Sequence, residues 1–72
     1  MMKYFVYYEF DLIKYSMETT EESLYKLIGD LTYKNIEIKS EILEDKTDRR
    51  IVYYLKDFCG KWNSFAYGVA VD

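Results

Sequence analysis

Only one stretch of the chain repeats its apolar residues at helical spacing: Leu24, Leu27, Ile28 and Leu31 recur at i, i+3, i+4 and i+7. Most other apolar residues fall at alternate positions, the period of strands with one wet face. A chain patterned in this way is confined to one helix laid on a sheet. Its 72 residues form a single domain, residues 1–72. The core is expected to be one layer thick, because so short a chain buries only about 60% of the surface it exposes when unfolded.

Residues 3–15 read as one long first strand, with Tyr4, Val6, Tyr8, Phe10 and Leu12 toward the core. Phe5, Tyr7, Glu9, Asp11 and Ile13 then face water or a partner. Thr19 and Glu22 have the spacing of a capping box, which predicts a helix over residues 20–34. Glu21 and Glu22 complement the positive end of its dipole. Gly29 is discordant in a helix interior and implies close backbone packing or a local break. Asn35 suits the left-handed position that ends a helix.

Residues 36–42 alternate strictly and predict a second strand, with Ile36, Ile38 and Ile42 inward and Glu37, Lys39 and Glu41 outward. The polar run over residues 44–48 is turn chemistry, and residues 49–56 return as a third strand antiparallel to the second. A second turn is expected over residues 57–63, with Gly60 in it. The last strand, residues 64–71, sets Phe65, Tyr67, Val69 and Val71 on one face and the small residues Ala66, Gly68 and Ala70 on the other. Something must approach that small face closely, either the helix or a second copy of the chain. The expected fold is α+β: a β-α-β-β-β order, a four-stranded and largely antiparallel sheet, and one helix packed on one face.

Histidine is absent, which removes the commonest general base and a common metal ligand together. No Ser/His or Cys/His nucleophile pair can form within the chain. Glu9 and Asp11, two residues apart on one strand face, are close enough for one to act as a general acid. Alternate carboxylates also simply keep an exposed sheet soluble, and no nucleophile or phosphate-binding glycine motif accompanies them. The same carboxylates with Glu37 or Glu41 lack the dense ligand spacing of a Ca²⁺ loop. Neither a metal nor a cofactor is expected, and no enzyme activity.

Cys59 is the only cysteine, so no intrachain disulfide forms, and a domain without staples suits a reducing compartment such as the cytoplasm. It reads either as a partly exposed thiol beside Gly60 or as a small hydrophobe under the turn. The apolar N-terminal run meets Glu9 and Asp11 too soon for a signal sequence or a membrane span. The balance of 13 acidic to 10 basic residues argues against a phosphate-binding surface. Arg49, Arg50, Lys56 and Lys61 cluster only among acidic residues, so nucleic acid is an unfavoured partner. The chain's abundance of Tyr, Lys and Ile reflects AT-rich codons and a low-GC genome, where so small a domain is expected to belong to a phage or mobile element.

One helix cannot roof both faces of such a sheet, and its bare face should show aromatic rings. The partner-binding surface is therefore expected to comprise Phe5, Tyr7, Glu9, Asp11, Tyr53, Tyr54 and Trp62. Aromatic residues and Arg are over-represented at protein interface hot spots. The expected role is a non-enzymatic protein-binding module that inhibits a host protein in the host cytoplasm. Self-association through the last strand or the uncovered sheet is the alternative, followed by single-stranded nucleic-acid binding.

Overall fold

In the computed structural model, residues 2–10, 13–44 and 49–70 are described. The chain runs β1 (Met2–Phe10), β2 (Ile13–Thr19), α1 (Glu21–Tyr33), β3 (Ile38–Glu44), β4 (Arg49–Lys56) and β5 (Trp62–Ala70). The strands form one antiparallel sheet in the order β2-β1-β5-β4-β3. The helix connects the two edge strands and so must cross the sheet. Thirteen residues of helix span about 20 Å, close to the roughly 19 Å width of five strands.

The sheet has one strand more than expected. What reads as a continuous first strand is a hairpin, Phe10 pairing with Ile13 and Tyr4 with Thr19. Strand period continues through both arms, and Asp11-Leu12 lacks the glycine that marks a tight two-residue hairpin turn. Asp11, Leu12, residues 45–48 and Val71 lie outside the described residues.

Thr19 is consumed by β2, which moves the helix cap to Thr20 in place of the expected Thr19–Glu22 box. The Thr20 hydroxyl oxygen accepts from the Ser23 amide at 3.1 Å, satisfying one orphan donor of the first turn. At the other end Asn35 takes φ 65°, as expected. The Asn35 amide donates to Thr32 O and the Ile36 amide to Leu31 O, the paired bonds that close a helix through a left-handed residue. Because Ile36 is spent on this exit, β3 starts later than expected, at Ile38. Gly29 marks neither a break nor a close approach: the helix runs through it unbroken, and a Cβ there would meet nothing within 4 Å.

The core lies between α1 and one sheet face. Leu24 is fully buried at its centre, with Tyr4, Val6, Tyr53, Phe65 and Ala66 around it. Leu27, Ile28 and Leu31 pack against this cluster from the helix. Tyr4 and Val6 of β1 are thus in the core, as alternation predicts, while the side chains of Tyr8 and Phe10 and all of Leu12 lie outside the described residues. Tyr53 is in this core, only 7% exposed, and not on the bare face where it was expected.

The last strand also departs from simple alternation. Its register to β4 slips between Tyr53 and Tyr54, so that Tyr53 opposes Ala66 while Tyr54 opposes Ser64. Phe65 is the extra residue of a β-bulge, which turns it to the core beside Ala66 rather than to the side of Tyr67 and Val69. The close approach to the small face comes from within the sheet: a Cβ on Gly68 would lie 2.7 Å from Tyr4 Cε1 and 3.1 Å from Ile51 Cγ2.

Candidate binding surface on the open sheet face

Alternation carries every second residue of each strand away from the helix. On β1 these are Lys3, Phe5 and Tyr7; on β5, Trp62, Ser64, Tyr67 and Val69; on β4, Arg50, Val52, Tyr54 and Lys56; on β3, Lys39, Glu41 and Leu43. No described element lies over this face.

Two aromatic groups occupy it. Phe5 opposes Tyr67 across the β1–β5 ladder, and their rings stack with centroids 5.0 Å apart and planes at 19°. Tyr7 joins them, its ring 5.3 Å from that of Tyr67. Burial against its neighbours raises the Tyr7 hydroxyl above its ordinary pKa, and the Tyr67 hydroxyl adds to this while Arg50 opposes it. Arg50 also sits 5.6 Å from the Tyr67 ring centroid. At the other end Trp62 has Lys39 Nζ 4.4 Å and Lys56 Nζ 5.8 Å from its centroid. Lys39 also lies 5.4 Å over Tyr54, and Lys56 pairs with Glu37 at 3.2 Å on the rim.

The result is a surface of ring edges interleaved with cations. Among the described residues it carries Lys3, Lys39, Arg50 and Lys56 against Glu18, Glu37 and Glu41, although the whole chain has a formal charge of -3. The basic cluster read from spacing is reorganised: Arg49 turns to the helix side while Arg50 and Lys56 join Lys39 and Lys3 on the open face. Strand register, invisible in spacing, brings these together.

Of the residues expected to bind a partner, Phe5, Tyr7, Tyr54 and Trp62 share this face. Tyr53 does not; its hydroxyl instead hydrogen-bonds with Tyr25, and burial, reinforced by Tyr25, Tyr4 and Glu21, pushes it up to about 12. Glu9 holds a register position opposite Lys14 in the β1–β2 hairpin, but its side chain, like all of Asp11, lies outside the described residues. Tyr67, Lys39 and Arg50 were missed. The signal for Tyr67 was its place on the bulky side of β5.

The turn between β4 and β5 is built on Asp57. Its carboxylate accepts from the Cys59 and Lys61 amides at 2.9 Å each and from Asn63 Nδ2 at 2.9 Å. Bonds from the Lys61 amide and Asn63 hold its pKa below the usual carboxylate value. Gly60 closes the turn at φ 79°. Cys59 is exposed rather than tucked beneath it, and Phe58 projects fully into solvent at the tip.

Among the described residues no group of three or more Cys, Asp or Glu side chains is placed to hold a metal ion, and no helix is long and apolar enough to cross a membrane. In comparisons with known proteins, the chain matches no family model, no curated protein and no solved structure at a significant level.

Proposed function

We propose that the chain is a non-enzymatic protein-binding module, a phage or mobile-element protein that docks on a host protein through its open sheet face and thereby inhibits it. The observation that carries this reading is the face itself: Phe5, Tyr7, Tyr54, Trp62 and Tyr67 stand outside the core, bordered by Lys39, Arg50 and Lys56. Trp, Tyr and Arg are the residue types that dominate binding energy at protein interfaces. Such a surface fits a partner that sets carboxylates around an apolar centre. The lack of histidine and the small size of the core favour binding over catalysis.

Nucleic acid is disfavoured by what already occupies the ring faces. Stacking of a base requires a free aromatic face. Lys39 lies over the Trp62 and Tyr54 rings, and Phe5 and Tyr67 turn their faces to each other.

The test is capture from host lysate with wild type and with the Tyr7→Ala/Trp62→Ala variant, Tyr25→Ala serving as a control from the helix side. Wild type and Tyr25→Ala should retain one and the same protein, identified by mass spectrometry, and the double variant should lose it. Retention by the double variant, or low-salt binding of single-stranded oligonucleotides in place of protein, would overturn the reading.

A further inference from the structure

Strand β3 forms one margin of the sheet. From Lys39 to Glu44 every residue is exposed, and Ile42 and Leu43 retain 59% and 47% of their surface. Among the described residues no strand lies beyond it. The Lys56 amide donates to Glu37 O at 3.0 Å, and Glu37 opposes Lys56 by continuation of the Ile38–Leu55 register. Odd-numbered residues therefore spend their backbone groups on β4, while Ile38, Ser40 and Ile42 aim theirs outward. Exposed edges of this kind are usually short, bulged, charged or interrupted by Pro. This one is seven residues long, regularly paired and free of Pro, and its central charges, Lys39 and Glu41, are of opposite sign.

We infer that β3 is a self-recognition edge, at which a second copy of the chain pairs antiparallel about a two-fold axis through Ser40. The sequence Ile38-Lys39-Ser40-Glu41-Ile42 is complementary to itself in that register. Ile38 opposes Ile42 of the other copy on the helix side, and Lys39 opposes Glu41 on the open face, each pair occurring twice. Ile38, Ser40 and Ile42 fall at hydrogen-bonded positions and supply about six backbone bonds. Lys39 and Glu41 fall at the intervening positions, where opposed side chains approach most closely. Moving the register by two residues in either direction sets Glu41 against Glu41 or Lys39 against Lys39, and like charges directly opposed are unfavourable. Charge therefore selects one alignment. The joined sheets place the Trp62 and Lys39 corner of each copy beside the axis, so the open face becomes continuous across the dimer.

Sedimentation of the full chain across a range of concentrations tests this. Wild type should dimerise. Lys39→Glu and Glu41→Lys should each weaken association by about tenfold or more, and the two together should restore it. Ser40→Pro removes only an outward amide, so it should abolish the dimer while the monomer keeps its circular dichroism and melting behaviour. In a Cys59→Ser background, Ser40→Cys should cross-link across the axis on mild oxidation. Glu41→Cys should not, because its Cα would lie about 8 Å from that of its counterpart, beyond disulfide reach. A chain that stays monomeric at every concentration, a dimer indifferent to Ser40→Pro, or cross-linking through residue 41 in preference to 40 would each overturn the inference.

Discussion

Tyr4 and Tyr53 show how a residue type that looks like surface becomes core. Each fills the layer under α1 with its ring and keeps its hydroxyl near the helix, where Glu21 and Tyr25 are the neighbouring groups. Burial makes ionisation costly there. The folded chain holds the Tyr53 proton to about pH 12, whereas an unperturbed tyrosine releases it near 10. The stability associated with this shift is fully present below pH 10 and is lost as pH rises from 10 toward 12. Tyr4 is displaced in the same direction. Chemical denaturation of wild type should therefore show a falling midpoint across that window, and Tyr53→Phe should show a shallower fall. An equally steep decline in the variant would contradict the burial assigned to this hydroxyl.

Among the elements, α1 and β5 each carry a glycine, and the two have opposite meanings. Gly29 has open space where a Cβ would be, so Gly29→Ala should stabilise the chain by about 1 kcal/mol through helix propensity alone. Gly68 is pressed by the Tyr4 ring and Ile51, so Gly68→Ala should cost about 1–3 kcal/mol through overpacking. Urea unfolding of both variants measures the contrast, and equal effects would contradict the packing at β5. The helix, β4 and the Asn35 exit are legible in the sequence because periodicity and a special backbone position mark them. The β1–β2 hairpin is not, since strand period runs through both arms with no glycine or asparagine between them. The bulge at Phe65 is equally hidden. One unpaired residue exchanges the two sides of β5 and carries Phe65 into the core, which no count of alternate positions anticipates. The open face was legible in part: Phe5 and Tyr7 follow from β1 alternation and the outward side of Lys39 from β3 alternation, whereas the grouping of Tyr67, Lys39 and Arg50 with them comes only through pairing between strands.

At the scale of the whole molecule, a helix about 10 Å across packs on one side of a five-stranded sheet and, among the described residues, no second layer lies on the other. On the helix side Glu21, Glu22 and Asp30 are offset by Lys26, Lys34 and Arg49, whereas on the uncovered side Lys39, Arg50 and Lys56 stand beside the aromatic rings. Cations placed in this way complement carboxylates on a docking surface. Recognition through the open face requires that it stay uncovered in the folded chain. Trp62 is the only tryptophan and lies within that face, so acrylamide quenching of its fluorescence reads the question without interference. The folded protein should show ready quenching and a red-shifted emission typical of a wetted indole. A blue-shifted emission that resists quenching until the chain is unfolded would mean that Trp62 is enclosed, and the proposed recognition surface would not exist.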